Sequence, residues 1–252
     1  TLRDKKVDEL YLYDTTSKQI SMANLKNKEV KILINDVANY KSYGSNMILF
    51  ATSDVEKPGK TIIKLWDTDK AYTVHVLNES SVLLDMAEFD GSWYVALAPS
   101  IEDKIYIIKD PFDKIKDRPA VLAKTFAVMR LPEASFISFS ANTRFLSAQA
   151  GNKFAVYDFE TNRRFNYELE GEIPVTQQIS WMDGHRFAFN HDNKTVVVEF
   201  DGTNKQELTN LISGATPFFT RDYQRLYTLT ANKEQDTKVD LIRSSLKVDQ
   251  DP

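Results

Sequence analysis

The 252-residue sequence contains no cysteine. Disulfides, thiolate catalysis and cysteine-ligated zinc or iron–sulfur sites are therefore excluded, whereas the redox compartment stays open. The sequence also lacks an uninterrupted apolar run of about 18 residues and a basic start followed by a short apolar segment. We therefore expect no membrane insertion by this chain and no export signal within it. Because the chain begins close to a strand, we expect a fragment of a longer protein, with any anchor lying upstream.

An excess of basic residues is also missing. The chain has 32 lysines and arginines against 36 aspartates and glutamates, which gives a formal net charge of -4. Attraction to nucleic acid or to anionic lipid depends on a basic field or stripe. We therefore expect no nucleic-acid partner.

Groups that could carry catalysis are few. The three histidines are His75, His185 and His191. None belongs to a H-E-x-x-H motif or stands beside a G-x-S-x-G motif. Ser138 and Ser140 lie in the polar phase of a strand, and no motif isolates the carboxylates from water. We therefore predict no catalytic residue, no metal ligand and no cofactor site, and a thermal melt that neither EDTA nor calcium changes.

Apolar residues make up 42% of the chain, enough for one substantial core without disulfides or metal. They occur in short strand-like segments, most clearly in "FISFSANTRFLSAQAGNKFAVYDFETNRRFNYEL" (136–169). Its apolar pieces are separated by "ANT", "AGN" and "ETN", residues that tolerate the positive φ angles of hairpin turns. This segment predicts a four-stranded antiparallel meander.

The third strand of this meander recurs along the chain. It ends at five aspartates with spacings of 53, 43, 48 and 43 residues, namely Asp14, Asp67, Asp110, Asp158 and Asp201. A further step of 43 residues leads to Ser244, in a strand of the same kind. Polar turn residues follow each aspartate, so we interpret its side chain as an acceptor for backbone amides two residues further on. An aromatic residue precedes four of the six positions: Tyr13, Trp66, Tyr157 and Phe200.

Repeats of four short strands at this spacing predict a β-propeller, with six blades in one domain over residues 1–252. First and second strands are recognisable in five repeats. The first repeat shows only "ELYLYD" and "KQISMAN", interpreted as third and fourth strands, and the last repeat has no clear fourth strand. Two explanations remain open: strands from both termini close the ring, or the beginning of the first blade is cut away.

The repeats resemble a known family. "FISFSANTRFLSAQAGNKFAVYDFETN" resembles the WD40-like repeat of the TolB type, and "ISWMDGHRFAF" followed by "VVVEFDGTNKQELT" is similar to a second copy. More narrowly, "EFDGTNKQELTN", "PFFTRDYQRLYTLT" and "LIRSSLKV" are similar to the propeller part of bacterial envelope proteins that carry a PEGA domain upstream. This resemblance implies a propeller and, in the narrower case, an anchored extracytoplasmic protein; the PEGA sequence itself is absent.

Five lysines stand at or just before third strands: Lys60, Lys104, Lys153, Lys194 and Lys238. They could form a basic ring, but basic residues also follow the third strands, so we interpret them as edge protection. The long loops "SDVEKPGK" and "DPFDKIKDRPA" are the expected contact surfaces.

Two functional classes follow. The first is a non-catalytic binding or scaffolding module that holds a protein or glycan on one propeller face or its loops. The second is the accessory or gating propeller of a hydrolase or lyase whose catalytic residues lie outside this chain.

Overall fold

The structure, a computed structural model, describes residues 2–3, 6–44, 46–111, 124–220, 222–232, 234–235 and 237–246. Within those residues the chain forms 23 β-strands in six antiparallel sheets. The chain divides into two compact units, unit 1 (residues 1–139) and unit 2 (residues 140–252). The expectation of one domain over residues 1–252 stays a prediction.

The first three sheets are meanders in which each strand pairs with its neighbours in sequence. Sheet 1 contains β1 (Leu2–Arg3), β2 (Lys6–Asp14), β3 (Gln19–Asn24) and β4 (Glu29–Ile34). Sheet 2 contains β5 (Asn39–Tyr43), β6 (Met47–Ser53), β7 (Thr61–Asp67) and β8 (Lys70–Leu77). Sheet 3 contains β9 (Val82–Phe89), β10 (Ser92–Pro99), β11 (Lys104–Lys109) and β12 (Thr125–Arg130).

The remaining sheets repeat this plan. Sheet 4 has the strand order β13 (Phe136–Phe139), β14 (Phe145–Ala150), β15 (Lys153–Asp158) and β16 (Arg163–Glu168). Sheet 5 contains β17 (Ser180–Trp181), β18 (Arg186–His191), β19 (Lys194–Glu199) and β20 (Gln206–Asn210). Sheet 6 contains β21 (Phe218–Phe219), β22 (Arg225–Ala231) and β23 (Val239–Ser245). The predicted first, second and third strands of sheets 2 to 6 are all confirmed.

Sheet 1 differs from the sequence prediction. The segment "ELYLYD" lies in β2, which pairs with both β1 and β3, so it is the second strand and not the third. The segment 29–34 adds a fourth strand that the sequence interpretation missed. The side chain of Asn24 accepts hydrogen bonds from the backbone amides of Lys26 and Asn27 and so starts another hairpin. Because β4 is mostly exposed and contains Glu29 and Lys31, its apolar alternation is weak.

Sheet 6 has three strands, as expected from the absence of a clear fourth strand. Within the described residues β23 pairs only with β22, while β1 to β4 form a sheet of their own. A sheet built from both termini is therefore not formed by these residues.

The positive φ angles expected at asparagine and glycine occur in two of the three turns of sheet 4. In sheet 4, Gly151 and Asn162 have φ angles of 59° and 55°, whereas in "ANT" the positive angle falls on Thr143. Gly202 has a φ of 84°, and a Cβ atom at this position would lie 2.6 Å from the ring of Tyr167. Only glycine therefore fits this turn without displacing that ring.

Apolar side chains fill the spaces between adjacent sheets within each unit. In unit 1, Trp66 packs with Tyr11, Ile20 and Phe50 between sheets 1 and 2. A second cluster of unit 1 contains side chains of sheets 2 and 3, among them Leu65. The core of unit 2 lies between sheets 4 and 5 and is rich in phenylalanine, with Phe145, Phe154, Phe187 and Phe189 buried.

Of the four aromatic residues that precede the repeated aspartates, three lie at equivalent places in their sheets. Trp66 points to one face of β7 and its neighbour Leu65 to the other, and Tyr157 and Val156 are arranged in the same way on β15. Phe200 stacks on Phe145 of the preceding sheet, with ring centroids 4.2 Å apart. Tyr13 instead packs forward onto Tyr40 of sheet 2, because β2 occupies a different position in its sheet.

Polar side chains on first strands link the sheets of unit 1. On β5, Asn39 donates from Nδ2 to the carbonyl oxygen of Val82, at 3.1 Å. On β9, the carboxylate of Asp85 accepts hydrogen bonds from the backbone amides of Met86 (2.8 Å) and Phe139 (3.0 Å), and Lys41 Nζ lies 3.2 Å from it. Burial raises the pKa of Asp85, although Lys41 and both amides favour the charged form. A nearly inaccessible carboxylate thus joins three strands.

Candidate functional site

The repeated aspartates serve as turn acceptors in three cases out of five. Asp14 accepts from the amide of Thr16, Asp158 from that of Glu160, and Asp201 from that of Thr203. Asp110 instead accepts the amide hydrogen of Trp93 across a hairpin, at 2.8 Å. The carboxylate of Asp67 accepts from the hydroxyl of Thr68. The residue two positions after Asp110 lies outside the described residues, so the interpretation as a turn acceptor stays a prediction for Asp110, and it stays a prediction for Asp67 as well.

The three histidines are placed in unrelated surroundings. His75 lies on β8 with Nδ1 buried and without a hydrogen-bond partner among the described residues, and burial lowers its pKa. His185 is exposed and packs edge-on against Phe145, with ring centroids 5.5 Å apart. His191 ends β18, and its Nε2 lies 3.6 Å from a carboxylate oxygen of Asp192.

In the part of the chain that the structure describes, no three histidine, aspartate or glutamate side chains lie close enough to hold a metal ion. None of the described residues forms a helix with the length and apolar character needed to cross a bilayer.

Two of the five lysines at or just before third strands lie close to an acidic side chain. Lys104 lies 3.7 Å from Glu102, and Lys194 lies 2.5 Å from Glu207. The loop at 53–60 is an exposed turn held by Asp54, which accepts from the amides of Glu56 and Lys57. The second predicted contact loop, at 110–120, lies outside the described residues from position 112 onward.

One concave site lies wholly in unit 2. It is a cleft of about 560 Å³ formed by the loop before β17, the end of β18 and the loop before β21. We call it the amide cleft. It is lined by Pro174, Thr176, Gln177, Gln178, Ser180, Phe189, Asn190, Ser213, Gly214, Ala215 and Thr216.

One wall of the amide cleft is held by Gln149. This side chain is 3% exposed, and its Nε2 donates to the carbonyl oxygens of Gly151 (3.0 Å) and Gln177 (2.9 Å). Its Oε1 accepts the amide hydrogen of Ile179, at 3.0 Å. The amide of Gln177 also donates to the carbonyl of Pro174, which closes a turn. A single buried carboxamide therefore fixes the path of residues 177–179.

The opposite wall is held by Asn190 in the same manner. Its Nδ2 donates to the carbonyl oxygens of Ile212 (2.7 Å) and Ala215 (3.3 Å), and its own carbonyl accepts from Gln177 Nε2 (2.6 Å). The amide of Ile212 in turn donates to the carbonyl of Leu229 on β22. Both loops of the cleft are therefore linked through Asn190.

Gln149 and Asn190 occupy equivalent positions in successive sheets. Gln149 stands opposite Phe154 and Asn190 opposite Thr195, in each case one pair from the hairpin end of the second and third strands. Both carboxamides hold the loop that leads into the following sheet. Both strands were predicted from the sequence, but the two carboxamides were not among the candidate site residues. Their signal was a carboxamide at the end of an otherwise apolar strand.

Charged side chains near these strands form ion pairs that lie outside the cleft lining. Arg144 binds Asp158 through two nitrogen atoms, at 3.0 Å and 2.8 Å, and Arg186 Nε donates to Asp183 at 2.8 Å. Burial raises the pKa of Asp158, but hydrogen bonds from Arg144 and Thr161 outweigh it and lower the pKa below its ordinary value. For Asp183, burial is likewise outweighed by hydrogen bonds from the amides of His185 and Arg186 and from the Arg186 side chain. Among the described residues that line the amide cleft, none has a titratable side chain. Their hydroxyl, carboxamide and backbone groups can donate and accept hydrogen bonds.

No protein-family model matches the sequence, and no curated protein matches it. Solved structures do share its fold. The dihydro-heme d1 dehydrogenase NirN in complex with DHE has a TM-score of 0.56 and 16% identity, over 97% of this chain and 56% of that chain. The β-propeller domain of the Trilobed protease from Pyrococcus furiosus, described as having an open velcro topology, has a TM-score of 0.52 and 11% identity, over 98% of this chain and 81% of that one.

TolB from Acinetobacter baumannii is also among the structural neighbours, with a TM-score of 0.49, 13% identity and coverage of 94% of this chain and 60% of that chain. The chain therefore spans less than two thirds of NirN and of TolB. At these identities the likeness concerns the fold alone, and its assignment rests on the matches with higher TM-scores. The chain is an all-β protein with a β-propeller fold of antiparallel blades, as the repeats predicted.

Proposed function

We propose that this protein is a non-catalytic binding module that holds its ligand in the amide cleft of unit 2. The observation that carries the proposal is the fixation of both cleft loops by Gln149 and Asn190. A site whose loops are already ordered loses little conformational entropy when a ligand binds. Recognition groups carried on loops over a rigid sheet are a common arrangement in binding proteins.

The absence of general acids and bases from the lining supports a role in binding. Ser180 and Ser213 line the cleft, but no histidine, carboxylate or lysine among the lining residues is available to activate their hydroxyls. The fold itself does not decide the question, because the structural neighbours include a protein named as a dehydrogenase. We propose a protein or a glycan as the ligand and expect no nucleic-acid partner, because the net charge of -4 provides no basic field.

An extracytoplasmic location at the bacterial cell envelope is part of the proposal. It rests on the narrower resemblance to the propeller part of PEGA-domain envelope proteins, which stays a prediction.

The proposal is tested by nuclear magnetic resonance on the ¹⁵N-labelled protein. We would titrate a panel of neutral oligosaccharides, anionic oligosaccharides and short peptides and follow the backbone amide resonances. Shifts are expected to concentrate in residues 176–180 and 213–216, and no new ligand resonances are expected over time. Ser213→Trp, which fills the cleft, should abolish the shifts, whereas Ser53→Trp at an exposed strand end of unit 1 should leave them unchanged.

Two results would contradict the proposal. The first is the absence of any response at the cleft residues, or shifts that persist in Ser213→Trp. The second is conversion of a ligand into product by the purified chain, which would make it an enzyme.

A further inference from the structure

We propose that the ligand of the amide cleft is an uncharged carbohydrate. The inference rests on the proposed binding function and adds the chemical class of the ligand. It is carried by the lining, which contains hydroxyl, carboxamide and backbone groups together with a few apolar surfaces, and no lysine, arginine, aspartate, glutamate or histidine.

Several polar side chains of the lining are available to a ligand. Five of them are exposed and have no side-chain hydrogen bond within the described residues, namely Thr176, Gln178, Ser180, Ser213 and Thr216. Hydroxyl and carboxamide groups can each donate and accept hydrogen bonds. Sugar hydroxyls have the same double capacity, so a carbohydrate can pair with both kinds of group in the cleft.

The inner part of the cleft contains Phe189, Pro174 and Ala215. Phe189 is 3% exposed, so it forms part of the floor and does not project as an anchor. A sugar ring has carbon–hydrogen faces between its hydroxyl groups. It can therefore bury one face against these side chains while its edge hydroxyls reach Gln178 and Ser213.

Other ligand classes fit this lining less well. Peptide and protein partners are usually anchored by tryptophan, tyrosine or arginine in desolvated pockets, and the lining contains none of these residues. Anionic glycans and phosphate esters require cations, which the lining also lacks. The volume of about 560 Å³ lies within the range of small-ligand sites and can accommodate a short oligosaccharide.

The experiment begins with a printed array of neutral and charged glycans probed with the fluorescently labelled protein. The best neutral glycan is then measured by isothermal titration calorimetry at 50 mM and 500 mM salt. We expect saturable binding with less than a two-fold change between the two salt concentrations, because no charge pair contributes. Gln178→Ala removes one neutral hydrogen-bonding side chain and should weaken binding about 3- to 10-fold.

Gln206→Ala is the matched control, because Gln206 is also an exposed glutamine of unit 2 but lies on β20, outside the cleft. It should bind with unchanged affinity. Ser213→Trp should abolish binding, and its unchanged melting temperature would show that the fold is retained.

Binding to the array restricted to charged glycans, or neutral-glycan binding that Gln178→Ala and Ser213→Trp leave intact, would overturn the inference. Shifts of the cleft resonances with peptides alone would refute a carbohydrate ligand but preserve the binding function. If no member of either panel acts at the cleft, both proposals fail.

Discussion

Units 1 and 2 are both built from antiparallel meanders, yet different polar groups link their sheets. In unit 1 the links start on first strands, where Asn39 and the carboxylate of Asp85 reach the backbone of the next first strand. In unit 2 they start at the ends of second strands, where Gln149 and Asn190 reach the loops that enter the following sheet. The links of unit 1 include a buried ionisable group, Asp85, whereas those of unit 2 are neutral carboxamides.

This difference has a structural consequence within each unit. A side chain on a first strand joins two strands and does not itself constrain the connecting loops. A carboxamide at the end of a second strand fixes the loops and so defines the amide cleft between them. Neutral groups suit this position because a charge there would need a partner that the loop backbone cannot fully supply.

The largest expected loss of stability concerns a buried aromatic position that both units contain. Trp66 in unit 1 and Tyr157 in unit 2 occupy equivalent buried positions before the repeated aspartate, with 8% and 3% exposure. Replacing either by alanine should lower the free energy of unfolding by about 3–5 kcal/mol, because a large cavity remains. Urea denaturation measures the change. The control Phe218→Ala, at a side chain with 65% exposure, should cost far less. An unchanged midpoint for Trp66→Ala or Tyr157→Ala would show that the repeat register is wrong.

The next-largest expected loss of stability distinguishes the two units, because it concerns the carboxylate that links first strands in unit 1. Asp85→Ala leaves the buried amides of Met86 and Phe139 without their acceptor and removes the partner of Lys41. We expect a loss of about 3 kcal/mol in urea denaturation, at the lower end for a broken buried pair because Lys41 is half exposed. Ser53→Ala, at an exposed strand end of unit 1, should change the stability by less than about 0.5 kcal/mol. Equal effects of the two variants would mean that Asp85 does not link the first strands.

A smaller effect is expected for the neutral link of unit 2. Gln149→Ala removes three hydrogen bonds but no charge, so the loss should be about 2 kcal/mol. Amide hydrogen exchange should become faster at Ile179, whose acceptor is lost. Gln206→Ala should leave both measurements unchanged. Fast exchange at Ile179 already in the parent protein would contradict a fixed loop.

The smallest expected effect, and the one most specific to the comparison of the units, is the pH dependence of the free energy of unfolding. The pKa of Asp85 is raised by burial, so its favourable contribution is present below its unfolded pKa near 4 and is lost as the pH rises through the folded pKa. The pKa of Asp158 is lowered, so its contribution is present above pH 4 and is lost as the pH falls. Urea denaturation from pH 3 to 7 should therefore give opposite pH trends for the effects of Asp85→Asn and Asp158→Asn. Parallel trends would refute the assigned environments.

Most strands of sheets 2 to 6 were predictable because alternation and turn residues act locally. "KFAVYD" and "KTVVVEFD" are apolar on both faces and end at polar turns, so neighbouring sequence alone defines them. Sheet 1 was misassigned because β4 carries charged, mostly exposed residues and because hairpin patterns do not state a strand's position in its sheet. The hydrogen bond from the amide of Trp93 to Asp110 was also beyond a local pattern, since the two residues are seventeen positions apart in sequence.

The candidate site was beyond sequence analysis. Gln149 and Ile179 are thirty residues apart, and Asn190 lies 25 residues before Ala215, so no local pattern brings these groups together. The sequence itself determined the strand periodicity, the repeated turns and the missing thiols, because these depend on single side chains and their immediate neighbours. The tertiary structure decided which polar groups are buried against backbone from a distant part of the sequence. It therefore decided which loops are held and where the cleft lies. A hydrogen bond requires two groups at a distance of about 3 Å, and for residues far apart in sequence only the folded chain brings them so close.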